Sequence, residues 1–542
     1  LKNAAADSGH LDDIVLKLHD FPILLTLAGF AFSCVVVFLT DSLAMPAAIN
    51  AQNRTERSWQ RLIYDWAARI PVIVLIYAAF FAISWRPIYS TQAVISFFVI
   101  FTGISRAKFE FIREPLVFSD IALVVDVFKY KEIFYATSLN IFFWVIAFGY
   151  VFGLSGLYMY WEPSVLPAEN GVLWILLMLA VAFSPWLALF SRIISEPVCH
   201  FTQRFLGKVD VKMDTVRFGT FASVVFHFVI WVGVRREAIV TQLSERFISA
   251  LQELWEHGDD EPLVVIWQSE SFIDLRHFGV ESVKLPNLDR LRAQAAQWGR
   301  MTSVFEGGYT LRTEFAMLSG LLPENVHIDA SYPYLRASHY KDVVWPARLK
   351  KAGWKTQFIH PYDRTFFLRH KALPQLGFDR MMMLDEFDHN PERDGPYVSD
   401  LTLTKSVIRA IDEDGTAKNF VFVASMANHG PWEPGRCGDL VNPVDIYSEL
   451  LMRADHALGN LAHHLDRLDR PVWLLFYGDH APLLKAFADP FPDPRTDYII
   501  VPLGRARAHT QRPKPPQEEA PWNLIGTLLR YAGLSTEVPE NG

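Results

Sequence analysis

Val472-Trp473-Leu474-Leu475-Phe476-Tyr477-Gly478-Asp479-His480 sets a carboxylate and an imidazole side by side directly after an apolar run. A run of this length closed by glycine reads as a buried strand and the turn that ends it. The carboxyl ends of such strands are where α/β proteins gather ligands and reacting groups. A second apolar run, residues 262–267, leads into Gln268-Ser269-Glu270-Ser271, so Glu270 is a hard ligand at an equivalent strand end. An Asp-His pair by itself also fits a solvated loop. Two ligand-bearing strand ends together suggest a metal site.

Around these runs the carboxyl-terminal half alternates strand and helix. Strands are expected at 263–267, 355–359, 420–424, 472–476 and 498–501, with helices at 288–297 and 446–468. Apolar strands separated by amphipathic helices imply a largely parallel central sheet covered by helices on both faces. Residues 505–520, rich in Arg, Pro and Gln, read as a surface connection before a terminal helix at 523–532.

The amino-terminal half is of another kind. The chain has 542 residues, 51% hydrophobic and only 20% charged, which is too apolar for an ordinary soluble enzyme and too long for one domain. A bilayer span needs about 20 mostly apolar residues. Candidates are 21–39, 70–84, 92–104, 141–160 and 172–190, and a sixth stretch, 218–234, carries His227 and either spans or lies in the interface. Apolar stretches this numerous and dispersed exclude a cleavable signal peptide as their explanation. Arg54, Arg57, Arg61 and Arg69, then Arg106, Lys108, Arg113, Lys129 and Lys131, then Arg192, Arg204, Lys208 and Lys212 mark the inside loops. Six spans with both termini outside, or five with the amino terminus inside, each deliver the second half to the outer face. The organisation expected is a polytopic α-helical domain of about five spans over 1–216, an interfacial or sixth-span helix with linker over 217–260, and an extracytoplasmic domain over 261–542. Three cysteines, Cys34, Cys199 and Cys437, make no disulfide framework. A net charge of −8 gives no reason for a nucleic-acid partner.

Between the acidic strand ends lies Phe305-Glu306-Gly307-Gly308-Tyr309-Thr310-Leu311-Arg312-Thr313-Glu314-Phe315. It passes from glycines into a helical pattern continued by Met317, Leu318 and Leu321. Thr310 is read in two ways. With Thr313-Glu314 following it resembles an N-cap and a loose capping box. Alternatively, a hydroxyl at a helix amino terminus, if also bound to a divalent cation, becomes a nucleophile.

Taken in order, the strand ending in Glu270, the Gly-Tyr-Thr310-Leu-Arg-Thr-Glu-Phe segment, Asn428-His429-Gly430-Pro431 and Tyr477-Gly478-Asp479-His480 resemble the lipoteichoic acid synthase branch of the alkaline phosphatase and sulfatase superfamily. The resemblance covers roughly residues 261–535. The multi-span half and the Arg113-Glu114-Pro115-Leu116-Val117-Phe118-Ser119-Asp120 segment are also similar to bacterial membrane members of that group. It implies a sulfatase-like α/β fold in which Glu270, Thr310, Asp479 and His480 bind one divalent cation, usually manganese, with Thr310 as nucleophile. Ligand type alone leaves magnesium and zinc open. It further implies that His429 stands at the substrate phosphate as donor or general acid. His360, Phe367 and Arg369 match the family's head-group pocket, with Asp363 in the same stretch.

The reaction implied is transfer of a glycerol-phosphate head group from phosphatidylglycerol, through threonine, to a hydroxyl of an extracytoplasmic glycan or glycolipid at a bacterial inner membrane, releasing diacylglycerol. A phosphoethanolamine transferase using phosphatidylethanolamine and a membrane phosphodiesterase are the alternatives. Lipoteichoic members have Lys before the nucleophile and Ser-Asp after it, where this chain has Tyr309 and Leu311-Arg312, and Asp363 replaces an Asn-like residue. These departures bear on head group and acceptor. No Cys/Ser-x-Pro-x-Arg sequence is present, so the formylglycine chemistry of sulfatases is excluded. The Cys-Gly-Thr nucleophile segment and exoplasmic disulfides common in phosphoethanolamine transferases are absent too.

Overall fold

The structure, a computed structural model, describes residues 21–47, 49–50, 58–123, 129, 141–234, 261–303, 309–415, 417–509 and 515–534. Its internal contacts divide these residues into two units, the second comprising everything from residue 261 onward together with Lys129; Lys129, expected on an inside loop, instead pairs with Asp363 of the domain expected outside.

In the first unit four helices are long and apolar enough to cross a bilayer: Pro22–Asp41, Trp59–Ser84, Pro87–Glu110 and Gly171–Ala188. Ile141–Trp161 is a further helix of 21 residues. Thr220–Gly233, within the stretch read as span or interfacial helix, has 14 residues. At 1.5 Å per residue it is about 21 Å long, short of the ~30 Å hydrocarbon core. Its His227 is buried, with Nε2 2.9 Å from Asp214 Oδ2.

Charge in this unit is compensated by pairing, as burial in an apolar setting requires. The carboxylate of Asp41, where the first helix ends, accepts Arg69 Nη1 at 3.0 Å and the Thr220 amide at 3.3 Å. Gly219 precedes Thr220 at φ +79, and a Cβ there would come within 1.9 Å of Asp41 Oδ2. One side chain thus ties three segments far apart in sequence.

The second unit is built on an eight-stranded sheet. Its strands are β1 Leu263–Ser269, β2 Gln297–Met301, β3 Lys355–Ile359, β4 Arg380–Met382, β5 Asn419–Ala424, β6 Pro471–Gly478, β7 Thr496–Gly504 and β8 Gln517–Glu519, in the order β4-β3-β5-β1-β6-β7-β2-β8. Neighbours from β4 to β6 run parallel, β7 is antiparallel to both β6 and β2, and β8 is parallel to β2. Every residue of β1 and β5 is buried, as expected where helices cover both faces. On one face Leu263, Val265, Trp267, Val421, Val423, Leu474 and Phe476 pack against Leu403 and Val407 of the helix Asp400–Asp414 and Leu451, Leu458 and Leu465 of the helix Pro443–Asp466. Those helices begin where the sequence provides caps: Ser399 accepts the Thr402 amide, and Asn442 accepts the Val444 amide. On the other face Phe358 of β3 stacks on Phe422 of β5, ring centres 5.4 Å apart.

Three elements differ from the sequence expectation. The helix expected at 288–297 is Pro286–Arg292, and the chain is already in β2 at Gln297. Burial along Gln297–Met301 alternates strictly, the period of a strand. Part of the segment read as a surface connection, 505–520, forms the edge strand β8. It approaches β2 so closely that a Cβ on Gly299, at φ +156, would lie 1.9 Å from Gln517 O. Gly478, read as a turn, is the last residue of β6 and stands opposite Ser269 of β1. It is glycine because the carbonyl of Phe272 crosses there: an added Cβ would meet it at 1.9 Å.

Gly478→Ala should therefore lower stability by roughly 1–3 kcal/mol, the usual cost of forcing a methyl group into packed surroundings. Thermal unfolding of the full chain in detergent reads the loss; an unchanged melting temperature would show that the Phe272 loop yields freely.

Candidate functional site

Pairing of β1 with β6 sets Ser269 opposite Gly478, so the next residue on each strand, Glu270 and Asp479, leaves the sheet at the same level. His480 follows, and the ligand atoms of Glu270, Asp479 and His480 all lie within 4.8 Å of one another. His480 Nε2 is 3.4 Å from Glu270 Oε1 and 3.3 Å from Asp479 Oδ2. Thr310 completes the group, its Oγ1 3.4 Å from Glu270 Oε2 and 3.3 Å from His480 Nε2. Thr310 is the first residue of the helix Thr310–Ser319, whose N-cap is Tyr309 and which has no side-chain cap. The hydroxyl thus faces the ligands rather than its own helix, in the positive partial potential of the helix amino terminus.

Neighbouring groups hold each ligand. The amides of Ser271 and His480 donate to Asp479 Oδ1 at 2.7 and 2.9 Å, while Oδ2 is buried without a hydrogen-bond partner. Ser271 Oγ donates to Glu270 Oε1 at 2.7 Å, and the Glu270 amide donates to Ser425 Oγ at 3.1 Å. Ser271 adopts φ 49, a left-handed conformation that costs a non-glycine residue of order 1 kcal/mol or more. It turns both its amide and its hydroxyl toward the carboxylates. His480 Nδ1 lies 3.0 Å from Ala481 O; donation there leaves the Nε2 lone pair for the centre.

The electrostatics call for a cation. Burial, reinforced by the charge of Glu270, pushes the Asp479 carboxyl up to about 7. Burial alone would lower the His480 imidazole, yet the Asp479 and Glu270 carboxylates outweigh it and raise it. Two buried carboxylates, an imidazole lone pair, a hydroxyl and an unpartnered carboxylate oxygen form a donor set that fits a divalent cation of the manganese, magnesium or zinc type.

His360, Phe367 and Arg369 form a second cluster. Arg369 is 1% exposed and fully engaged: Nη2 and Nε donate to Glu314 at 2.8 and 3.2 Å, and Nη1 to His360 Nε2 at 2.9 Å. Tyr334 OH donates to Glu314 Oε1 at 2.5 Å. His360 Nδ1 donates to Ala424 O at 2.9 Å, which sets its tautomer, and burial together with the Arg369 charge holds its pKa well below the ordinary value. Phe367, at φ 55, lies under Arg369 and stacks on Tyr309 at 5.7 Å, so the cluster reaches the residue before Thr310. Asp363 stands apart, its carboxylate bound by Lys129 Nζ at 2.9 Å and by the Thr365 amide at 2.7 Å. His429 follows β5; its Nδ1 lies 2.7 Å from Gly430 O and 3.3 Å from Tyr397 OH.

Sequence reading passed over three residues of this region that hold its side chains in place: Ser271, Glu314 and Ser425. Glu314 had a signal, one helical turn beyond Thr310 on the same face. Ser271 and Ser425 sit next to strand ends already singled out.

Arg369→Ala should cost about 3–5 kcal/mol of stability, because it leaves Glu314 charged and unpaired in the interior; denaturant unfolding measures it, and a loss below about 1 kcal/mol would mean that Tyr334 suffices as partner. Chelator-treated protein should gain thermal stability on addition of manganese, magnesium or zinc, each to its own degree. Asp479→Asn should abolish that gain. A gain retained in full by this variant would move the cation elsewhere.

Residues 262–534 match the Sulfatase family. The capsular polysaccharide biosynthesis protein RkpI of Rhizobium meliloti (strain 1021) is 61% identical over 96% of this chain and 97% of its own length. A second Rhizobium meliloti protein, named for cyclic beta-1,2-glucan modification, is 28% identical over 42% of this chain and 36% of its own. Among solved structures, the Streptococcus pyogenes phosphoglycerol transferase GacH in complex with sn-glycerol-1-phosphate is similar at 20% identity with a TM-score of 0.43, covering 56% of this chain and 83% of that one. The matched segment coincides with the sheet and its ligand-bearing strand ends, and the chain belongs to the Sulfatase family of the alkaline phosphatase superfamily.

Proposed function

We propose that the chain is a membrane-anchored phosphotransferase that moves the glycerol-phosphate head group of phosphatidylglycerol to a hydroxyl of an extracytoplasmic glycan or glycolipid. The observation that carries this reading is the Thr310 hydroxyl, at a helix amino terminus and 3.3–3.4 Å from two of the three candidate ligands. A cation held by Glu270, Thr310, Asp479 and His480, manganese first and magnesium or zinc as alternatives, would lower the hydroxyl pKa and offset charge on the phosphoryl oxygens.

In the first displacement Thr310 Oγ1 gives its proton to solvent and bonds to phosphorus, the bond from phosphorus to the diacylglycerol oxygen breaks, and that oxygen takes up a proton from a donor that solvent then recharges. His429 is the residue we assign as its donor. In the second, the acceptor hydroxyl bonds to phosphorus, the bond to Thr310 Oγ1 breaks, and the acceptor's proton is balanced by reprotonation of threonine. Two displacements at one centre give ping-pong kinetics.

Three observations support the details. The first unit has four helices long and apolar enough to cross a bilayer, in keeping with a lipid donor. Asp363, the carboxylate in the head-group stretch, is bound by Lys129, which favours a neutral glycerol over a cationic ethanolamine. The 61% identical relative is named for capsular polysaccharide biosynthesis, which favours a glycan acceptor. On this reading the domain from 261 onward works on the outer face of a bacterial inner membrane, anchored by the spans before residue 217.

Incubation of the full chain with labelled phosphatidylglycerol should release diacylglycerol and leave a glycerophosphoryl group on Thr310, detectable by peptide mass spectrometry, and Thr310→Ala should abolish both. An ethanolamine-phosphate adduct from phosphatidylethanolamine would reassign the donor; steady release of glycerol phosphate with no transfer to any glycan would make the protein a phosphodiesterase; full turnover by Thr310→Ala would end the threonine mechanism.

A further inference from the structure

His429 is carried by the loop that leaves β5, and every carbonyl of that loop from Ala427 to Pro431 meets a side-chain donor. Arg436 takes three of them: Nη2 donates to Ala427 O and His429 O at 2.9 Å each, and Nη1 to Pro431 O at 3.3 Å. Trp432 Nε1 donates to Asn428 O at 3.0 Å. Gly430 O accepts Tyr397 OH at 3.2 Å and lies 2.7 Å from His429 Nδ1. The Arg436 guanidinium also lies over the Tyr397 ring, 4.9 Å from its centre, and that ring meets the His429 ring edge to face at 5.5 Å. A segment outside sheet and helix owes its conformation to bonds of this kind, and here one rigid fork of donors supplies most of them.

These contacts settle where the ring carries its proton. A carbonyl only accepts, so at 2.7 Å from Gly430 O it is Nδ1 that bears the hydrogen. Tyr397 OH, 3.3 Å from the same nitrogen, donates to Gly430 O and brings no competing donor to the ring. The neutral ring therefore keeps its lone pair on Nε2, the minor tautomer of histidine in water. Proton exchange then passes through Nε2, and the ring donates there only when both nitrogens are protonated. Arg436 holds the carbonyls on either side of Gly430, His429 O and Pro431 O, and so fixes the position of the acceptor on which the tautomer depends.

We propose that Arg436 is a positioning residue for His429: by fastening this loop it keeps Gly430 O against Nδ1 and reserves Nε2 for the proton exchanged with substrate. Its weight in turnover rests on the reading of His429 as the proton donor; the tautomer does not.

The test uses the full chain in detergent, labelled at its histidine nitrogens, the His429 signals being those lost in His429→Gln. At about pH 9, where imidazoles are neutral, NMR should show the proton on Nδ1 and the lone pair on Nε2. Arg436→Lys, which keeps the charge and loses the fork, and Arg436→Met should each move the ring toward the Nε2–H form. A proton on Nε2 in the unsubstituted chain, or an unchanged tautomer in every Arg436 variant that folds, overturns the proposal. The second readout is the rate at which phosphatidylglycerol forms the adduct on Thr310. Arg436→Lys should slow it about tenfold or more, a share of what acid catalysis contributes. In a His429→Gln background the same substitution should change the rate by less than about twofold, because the residue through which it acts is gone. An undiminished loss in that background would make Arg436 a structural residue and overturn the positioning role. Absence of any adduct in the unsubstituted chain is failure of the threonine chemistry and shows as that, while the nitrogen signals need no turnover and still decide the role of Arg436.

Discussion

Glu270 and Asp479 bring like charge into the same buried space, and the second unit is arranged around that conflict. The register of β1 against β6 makes it unavoidable, because Ser269 opposite Gly478 leaves the following carboxylates level with each other. Gly478 lets the Phe272 carbonyl cross the strand end. Ser271 accepts a left-handed backbone and delivers two donors to the carboxylates. Even so, Asp479 Oδ2 has no hydrogen-bond partner, and the side chain resists ionisation. Such an arrangement is costly for a folded protein unless a cation joins it, which is why it marks chemistry rather than stability.

The contrast with Arg369 and Glu314 is instructive. That pair is as deeply buried, but it is closed: the guanidinium forks onto the carboxylate and onto His360, and Tyr334 takes up the same carboxylate. It leaves no charge over. An anion approaching this cluster meets an arginine already matched, so the cluster offers a rigid wall of fixed tautomers in place of a free positive charge. The stacking of Phe367 on Tyr309 couples that wall to the backbone that sets Thr310.

The elements legible in the sequence were those whose signal is local. Four of the five expected strands carry continuous apolar runs, the fifth, Lys355–Ile359, begins with three polar residues, and all five form. β2, β4 and β8 are short and partly polar, and β8 exists because Gly299 lets it approach β2, a fact of tertiary contact that no window of sequence contains. The same division holds at the site. Glu270, Asp479 and His480 lie within three residues of the ends of apolar runs, which makes them visible as candidate ligands; Thr310, which reads as cap or nucleophile, lies against His480. Ser425, which accepts the Glu270 amide, lies 155 residues away in the chain, and only the pairing of β5 with β1 relates them. In the first unit apolar length was readable, and the stretch 218–234 encloses the fourteen-residue helix containing His227, whose start is fixed by Gly219 against Asp41.

The order β3-β5-β1-β6 strings the functional groups along one edge of the sheet. His360 ends β3, Ser425 and His429 follow β5, Glu270 follows β1, and Asp479 and His480 follow β6. Neighbouring strands are about 4.8 Å apart, so reaction and recognition occupy separate lanes. If the loop after β3 reads the head group, a change there leaves the candidate metal ligands after β1 and β6 in place. Such an architecture lets substrate range drift under selection while the bond-breaking apparatus stays in place, and Tyr309 and Asp363, where this chain departs from lipoteichoic acid synthases, lie outside the ligand set.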